Sequence, residues 1–336
     1  MSGVSGRGEE DFCAFEHVCY RVAPASDPAD STALSPDEAF SVLGNETRVR
    51  MLQTLGEAAG PLSFTELRDR VGIRQGAQFN YHLDKLVGHF VAKTDDGYAL
   101  RQAGRRVVEA VLSGAITDDP TVERTEVEAW PCPYCGAPSE VAFREERVER
   151  YCTDCPGLYD AAAARMRPDF EGEYGDLGAL ELPPAGVQGR SAEEILWAAF
   201  TWSYAEWLVA ANDVCPRCSA TVDRSVTVCE CHDTDASICD RCGRRQAVAF
   251  RVECENCNFS RGSIVSMHLA ASTELLAFLT ARGVAPLSDP WDWGWEYDEE
   301  IRSTDPFAGR FTFTVDGDSI TLTVDDDLDV IDAERG

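Results

Sequence analysis

Five Cys-x-x-Cys pairs constrain the fold of this 336-residue chain more than any other feature. They hold ten of its 14 cysteines and begin at residues 132, 152, 215, 239 and 254. Two thiols at this spacing can reach one tetrahedral metal ion, and two such pairs complete a four-ligand site. The chain is therefore expected to contain small metal-stabilised modules.

The first two pairs predict a four-cysteine zinc site. Cys132 and Cys135 are separated from Cys152 and Cys155 by 16 residues with high β-strand propensity. This is the spacing of a zinc ribbon, in which two hairpin turns supply four thiolates. Free or redox-active thiols are the alternative, and the spacing disfavours them.

The other three pairs lie among further possible ligands, so their grouping is less constrained. The simplest grouping joins Cys239 and Cys242 with Cys254 and Cys257. It leaves a second site with the ligands Cys215, Cys218, Cys229 and either His232 or Cys231. A crossed grouping, with residues 215 and 218 joined to 239 and 242, stays open. Either way, two zinc ions are expected here.

All complete sets have four protein ligands, which is typical of structural rather than catalytic zinc. The sequence contains no Gly-rich phosphate loop, Ser/His/Asp set or glycosidase-like carboxylate pair. We therefore expect no enzymatic activity. Thiolates that lose zinc on oxidation could also act as a sensor, and the spacing does not separate sensing from stabilisation.

The chain is strongly acidic, with 59 Asp and Glu, 30 Lys and Arg, and a net charge of −29. This charge disfavours a basic nucleic-acid coat protein or a protein of anionic membranes. Only two basic residues are lysines; such a composition is typical of proteins from salt-rich cytoplasms, although Arg-rich codon usage explains it in part. We expect a cytoplasmic protein, because the N-terminus lacks a signal-peptide apolar region and the longest apolar stretch contains Glu206.

Residues 35–115 alternate between helix and turn signals. Ser35-Pro36 begins a helix, Gly44-Asn45 separates it from a second, and Ser63-Phe64-Thr65-Glu66 is a capping box for a third. A fourth helix follows from about Ala77. Asp96-Gly97, between two β-prone runs, predicts a hairpin before a final helix. Four helices, a hairpin and a helix predict a winged helix-turn-helix.

This segment resembles the ArsR-type winged-helix regulators of halophilic archaea over about residues 35–113. The resemblance is carried in order by LSPDEAFSVLGNETRVRMLQTL, SFTELRDRVGI, FNYHLDKLVGHFV and LRQAGRRVVEAVL. It implies a DNA-binding transcriptional regulator. The cysteine-rich region resembles the uncharacterised zinc-ribbon extension that such regulators often carry.

The fourth helix is the expected DNA-reading element, because the second helix of the motif enters the major groove. Phe79, Leu83, Leu86 and Phe90 form its apolar stripe. The candidate DNA contacts around its polar side and on the hairpin are Arg74, Gln75, Gln78, Tyr81, His82, Lys85 and Lys93. An ordinary solvated face is the alternative, favoured by Asp84. Charge favours DNA, because residues 36–113 hold ten basic and ten acidic residues.

The expected fold class is α+β, with zinc ribbons, a helix between them and a C-terminal hairpin after the winged helix-turn-helix. The expected parts are a disordered acidic tail (1–34), the DNA-binding domain (35–115), a first ribbon (125–160), a linker (161–190), an aromatic helix with the second zinc region (191–270), and a C-terminal helix and hairpin (271–336). In the tail, Cys13, His17 and Cys19 have metal-ligand spacing but no local fourth ligand.

The aromatic helix from about Ala192 to Ala211 is expected to be buried or to form dimer contacts, with an effector pocket as the alternative. Together these features predict a homodimeric regulator of double-stranded DNA with no membrane partner. A zinc- or thiol-responsive sensor, and an adaptor of the transcription machinery that does not bind DNA specifically, are the other hypotheses.

Overall fold

The computed structural model describes residues 34–158, 174–233, 238–285 and 296–336, and the fold is mixed α+β. The chain divides into two compact units, Met1–Val108 and Glu109–Gly336. The expected tail, except its last residue, lies outside the described residues, and so do Cys13, His17 and Cys19.

Residues 34–112 have the predicted order of elements, four helices, a hairpin and a helix, the last of which runs past the end of the first unit. They are α1 (Pro36–Leu43), α2 (Glu46–Gly56), α3 (Phe64–Val71), α4 (Gly76–Leu86), β1 (Val91–Thr94), β2 (Gly97–Leu100) and α5 (Gln102–Leu112). Local capping sets their bounds: at α3, the Ser63 amide donates to the Glu66 carboxylate at 3.0 Å and the Glu66 amide donates to the Ser63 hydroxyl at 3.3 Å. Their apolar faces meet in one core that includes Met51, Leu52 and Phe79.

The second unit begins with an antiparallel sheet of β3 (Val122–Val127), β4 (Ser139–Arg144), β5 (Arg147–Cys152) and β6 (Asp176–Glu181), in that order. Strand β6 corrects the sequence interpretation, which assigned residues 161–190 to a linker. Its pairing with β5, in which Arg147 lies opposite Glu181, is a long-range contact that the local pattern Asp-Leu-Gly-Ala-Leu-Glu does not reveal.

Helix α6 (Ala192–Ala210) joins two cores. Ile195, Leu196 and Ala199 pack with apolar side chains of the β3–β6 sheet, whereas Trp207 and Ala210 belong to the core of the next sheet. The helix is not covered all round, because Trp202 is 45% exposed. A short 3₁₀ turn (Pro184–Gly186) precedes α6.

The remaining elements form two more antiparallel sheets. The three-stranded sheet contains β7 (Val222–Val228), β8 (Val248–Cys254) and β9 (Ser260–Ile264), and α7 (Val265–Leu269) and α8 (Thr273–Thr280) follow it. The four-stranded sheet contains β10 (Glu296–Thr304), β11 (Phe307–Val315), β12 (Asp318–Val324) and β13 (Val330–Arg335). The hairpin expected within residues 271–336 forms at Asp316-Gly317, where Val315 pairs with Asp318 and both turn residues have positive φ, and β10 and β13 extend it to four strands.

Candidate metal centres and candidate nucleic-acid interface

Among the described residues, three groups of four Cys or His side chains could each hold a metal ion. Within each group, the candidate ligand atoms all lie within 4.8 Å of one another. We name them site 1 (Cys132, Cys135, Cys152, Cys155), site 2 (Cys215, Cys218, Cys254, Cys257) and site 3 (Cys229, His232, Cys239, Cys242).

Site 1 contains the four cysteines that the sequence grouped. The first pair lies in the turn before β4, where the Gly136 amide donates to the Cys132 carbonyl at 2.9 Å, and the second pair begins at the end of β5. The Sγ atoms of Cys132 and Cys155 are 3.6 Å apart, and those of Cys135 and Cys152 are 3.4 Å apart. Four thiolates at such distances repel one another unless a cation lies between them.

The surroundings of site 1 supply positive charge and amide donors. Burial raises the pKa of Cys132 to about 12. Burial also acts to raise the pKa of Cys152, but the backbone amides of Asp154 and Cys155 hydrogen-bond its sulfur, and the net result is a pKa of about 7. The Arg150 guanidinium is buried beside the site and donates to the Trp130 and Pro131 carbonyls at 2.8 and 2.7 Å.

Site 2 joins the turn before β7 to the turn after β8. The Sγ atoms of Cys215 and Cys257 are 3.7 Å apart, and those of Cys218 and Cys254 are 3.5 Å apart. Hydrogen bonds from the Ala220 amide and then the Asn256 side chain lower the pKa of Cys218 to about 6. Cys218 is exposed.

Site 3 is the only group of the three that includes a histidine. The Nδ1 atom of His232 lies 3.4 Å from the Sγ of Cys242, and its Nε2 atom lies 3.1 Å from the Arg245 carbonyl oxygen. Because a carbonyl can only accept, Nε2 carries the proton and Nδ1 presents its lone pair to the site. Cys231 is exposed and does not belong to the group, so the geometry selects His232 between the two alternatives.

The simplest grouping expected from the sequence is wrong, and so is the crossed grouping. Strands β7 and β8 are antiparallel and of equal length. Val222 lies opposite Cys254 at one end, which brings the pair at 254 to the pair at 215 and forms site 2. Val228 lies opposite Val248 at the other end, which brings Cys229 to the loop that carries Cys239 and Cys242. The equal lengths of these two β-prone runs are the sequence signal that could have predicted the observed grouping of the ligands.

The polar side of α4 is exposed to solvent. Six of the seven candidate DNA contacts have exposed side chains. They lie on α4, in the turn before it and on β1: Arg74, Gln75, Gln78, Tyr81, Lys85 and Lys93. The Lys85 ammonium lies 6.0 Å from the centre of the Tyr81 ring. Asp84, which would repel a phosphate, accepts a 2.7 Å hydrogen bond from the Asn80 side chain.

His82 corrects the predicted face. Its side chain is buried, and its Nδ1 has no hydrogen-bond partner among the described residues. The reason is helical geometry, because His82 lies three residues after Phe79 and four before Leu86, on the side that faces the core. Burial also lowers its pKa and so favours the neutral ring. His82 is therefore not available to a partner at this surface.

The structure thus defines a mixed α+β protein with three four-ligand Cys/His groups that could bind metal, which is consistent with zinc-ribbon-like modules. The chain belongs to the family described as Domain of unknown function (DUF7351), whose model matches residues 129–330 and so includes all three groups. A second model, Domain of unknown function (DUF7347), matches residues 36–111. No curated protein and no solved structure matches the chain. Within the described ranges, every helix is too short or too polar to span a lipid bilayer.

Proposed function

We propose that the chain is a sequence-specific DNA-binding transcriptional regulator whose first unit is a winged helix-turn-helix, with α4 as the recognition helix and β1–β2 as the wing. The observation that carries this proposal is the two-sided character of α4. Phe79, Leu83 and Leu86 are fully buried on one side, while Gln78 and Tyr81 are exposed on the other.

The connection between α3 and α4 supports this proposal. It has four residues, 72–75, and it begins with Gly72 in the left-handed region at φ 81°. Turns of this length, often with glycine, join the two helices of a helix-turn-helix. Arg74 and Gln75 precede the first free amides of α4 and could contact phosphate, while Gln78 could pair with an adenine edge.

Charge distribution also supports DNA as the partner. Residues 36–113 are neutral, with ten basic and ten acidic side chains, so the net charge of −29 lies entirely outside them. At salt near 1 M the Debye length is about 3 Å, and remote carboxylates would hardly oppose docking. Both lysines of the chain lie in this segment, at positions 85 and 93.

We further propose that the three sites hold zinc as structural ions. A tetrahedral ion with zinc–sulfur bonds of about 2.3 Å separates its sulfurs by about 3.8 Å. The sulfur–sulfur distances of 3.4–3.7 Å in sites 1 and 2 are close to that value. All three sets have four protein ligands, which leaves no position for substrate.

Homodimerisation is part of the proposal, because the described residues expose several large apolar side chains. Phe40 on α1 is 74% exposed and Leu112 at the end of α5 is 61% exposed. Light scattering of the purified chain at the salt of the cell measures the oligomeric state.

Duplex binding tests the function directly. We would select bound sequences from a random duplex library, then titrate the best one with the full chain and with Gln78→Ala. We expect Gln78→Ala to lose about 1–3 kcal/mol of binding free energy. Its sequence specificity should also be lower at the base pair that Gln78 contacts. Gln102→Ala, an exposed glutamine at the start of α5, is the matched control. Selection of no sequence, or equal losses for both variants, would reject the regulator and favour the adaptor.

A zinc- or thiol-responsive regulator is a second candidate, favoured by the exposure of Cys135 and Cys218 to solvent oxidants. The same titration after oxidation or chelation separates it from purely structural zinc. An unchanged duplex affinity would reject sensing.

A further inference from the structure

Arg245 contacts two metal sites at once. It follows Cys242 of site 3 by three residues, yet its guanidinium reaches site 1. Its Nε donates to the Gly157 carbonyl at 2.6 Å, and its Nη2 donates to the Sγ of Cys155 at 3.8 Å. The guanidinium also stacks 4.0 Å from the centre of the Tyr134 ring, and Tyr134 lies between Cys132 and Cys135. One side chain thus touches both turns of site 1.

The backbone of the same segment orients site 3. The Arg245 carbonyl accepts a hydrogen bond from His232 Nε2 and thereby directs Nδ1 toward Cys242. The carbonyl of the preceding residue, Arg244, accepts a 3.0 Å hydrogen bond from the Cys239 amide. Such partners of a ligand typically change metal affinity by about 10–100-fold when they are removed.

The net charge of each metal–ligand set determines how strongly a nearby arginine would stabilise it. A divalent ion with four thiolates has a net charge of −2, whereas one with three thiolates and a neutral imidazole has −1. Sites 1 and 2 would therefore gain more from nearby cations than site 3, and at site 1 Arg150 and Arg245 supply two. At site 2, the side chain that donates to a sulfur is the neutral amide of Asn256, 3.6 Å from Cys218.

We propose that Arg245 couples sites 1 and 3 into one metal-binding unit, so that loss of metal from site 3 loosens site 1, while site 2 releases its metal independently. When the loop of residues 239–245 is no longer held by a metal, the Arg245 guanidinium loses its fixed position at Cys155. This inference rests on metal occupancy of the sites, but it does not require DNA binding.

The test follows metal release one site at a time in the full chain. Zinc-loaded protein is challenged with a chelator and pulsed with an alkylating reagent, and peptide mass spectrometry reports which cysteines have become reactive. We expect Arg245→Gln to release site 1 on the order of 10-fold faster, with site 2 unchanged. Arg241→Gln, which changes an exposed arginine of the same loop, should keep wild-type rates.

His232→Ala tests the coupling from the other side. It removes a ligand of site 3, and we expect site 1 to be released faster to the same extent as in Arg245→Gln. The double variant should be no faster than either single variant, because both remove the same connection. Arg245→Lys, which keeps the charge without the fork of donors, should recover only part of the protection.

Three outcomes would overturn the proposal. One is an unchanged site 1 rate in Arg245→Gln; another is equal acceleration at sites 1 and 2, which indicates general loosening; the third is an additive double variant. Fewer than three bound zinc ions in the wild-type chain would instead reject the metal assignment itself.

Discussion

The first unit and the cysteine-rich unit are stabilised in different ways. Residues 34–108 pack α1–α4 around one continuous apolar core, with Met51, Leu52 and Phe79 completely buried. The second unit divides its apolar side chains among separate cores and has candidate metal sites at its strand ends, and the ligand Cys215 of site 2 is itself a member of one of these cores. Metal ions at the strand ends would cross-link segments far apart in the sequence, and the first unit has no such group among its described residues, so we expect the two units to respond differently to metal removal.

Metal removal has the largest expected effect. Binding of a structural zinc ion contributes about 10–16 kcal/mol in zinc-finger peptides, which is comparable to the whole stability of a domain. We expect an excess of chelator to abolish amide protection in strands β3–β9 while α2–α4 stay protected. Hydrogen exchange with peptide resolution measures both in one sample, and chelator already saturated with zinc is the control. Equal loss of amide protection in both units would contradict the expectation that only the second unit depends on metal.

Grouping of the ligands gives the next prediction, because each lost site removes one equivalent of metal. Purified in excess zinc and desalted, Cys218→Ser/Cys257→Ser should lose one equivalent, since both residues belong to site 2. Cys242→Ser/Cys257→Ser should lose two. The grouping expected from the sequence predicts the reverse, and elemental analysis decides between them.

This difference also explains what the sequence could predict. The elements of the first unit depend on contacts within a few residues, such as the Ser63–Glu66 capping box and the spacing of Phe79, Leu83 and Leu86. Site 1 was grouped correctly because its two pairs flank one β-hairpin, β4–β5. Sites 2 and 3 depend on the register of β7 against β8, which pairs residues up to 32 positions apart, Val222 with Cys254. Local spacing does not determine such a register.

A core substitution in the first unit should act on that unit alone. Phe79 is 0% exposed and packs edge-on against Phe64 at 5.0 Å, so Phe79→Ala should cost about 3–5 kcal/mol. The unfolding free energy of the first unit, measured by hydrogen exchange, should fall while all bound metal is retained. Tyr81→Ala on the exposed side of α4 is the control and should change stability by less than about 0.5 kcal/mol. Metal loss in Phe79→Ala would mean that the units are not independent.

The smallest expected effect compares two buried histidines, one in each unit. His82 and His268 both have an Nδ1 without a partner among the described residues. Burial lowers both pKa values, and that of His268, aided by Arg224, falls to about 4. Since the unfolded chain binds the proton at about pH 6.5, the stability from neutral His268 is complete above that pH and is lost as the pH falls to about 4. The total loss is about 3 kcal/mol.

We expect His268→Gln to flatten this pH dependence in the second unit. The Gln side-chain amide can still donate to the Leu328 carbonyl that accepts from His268, but it does not titrate. Because thiolate ligands also protonate in acid, the informative quantity is the difference in unfolding free energy between variant and wild type at each pH. That difference should favour the variant increasingly from pH 6.5 to 4. His82→Gln should give a smaller pH-dependent difference, confined to the first unit. A difference for His268→Gln that does not change with pH would show that the His268 ring is solvated.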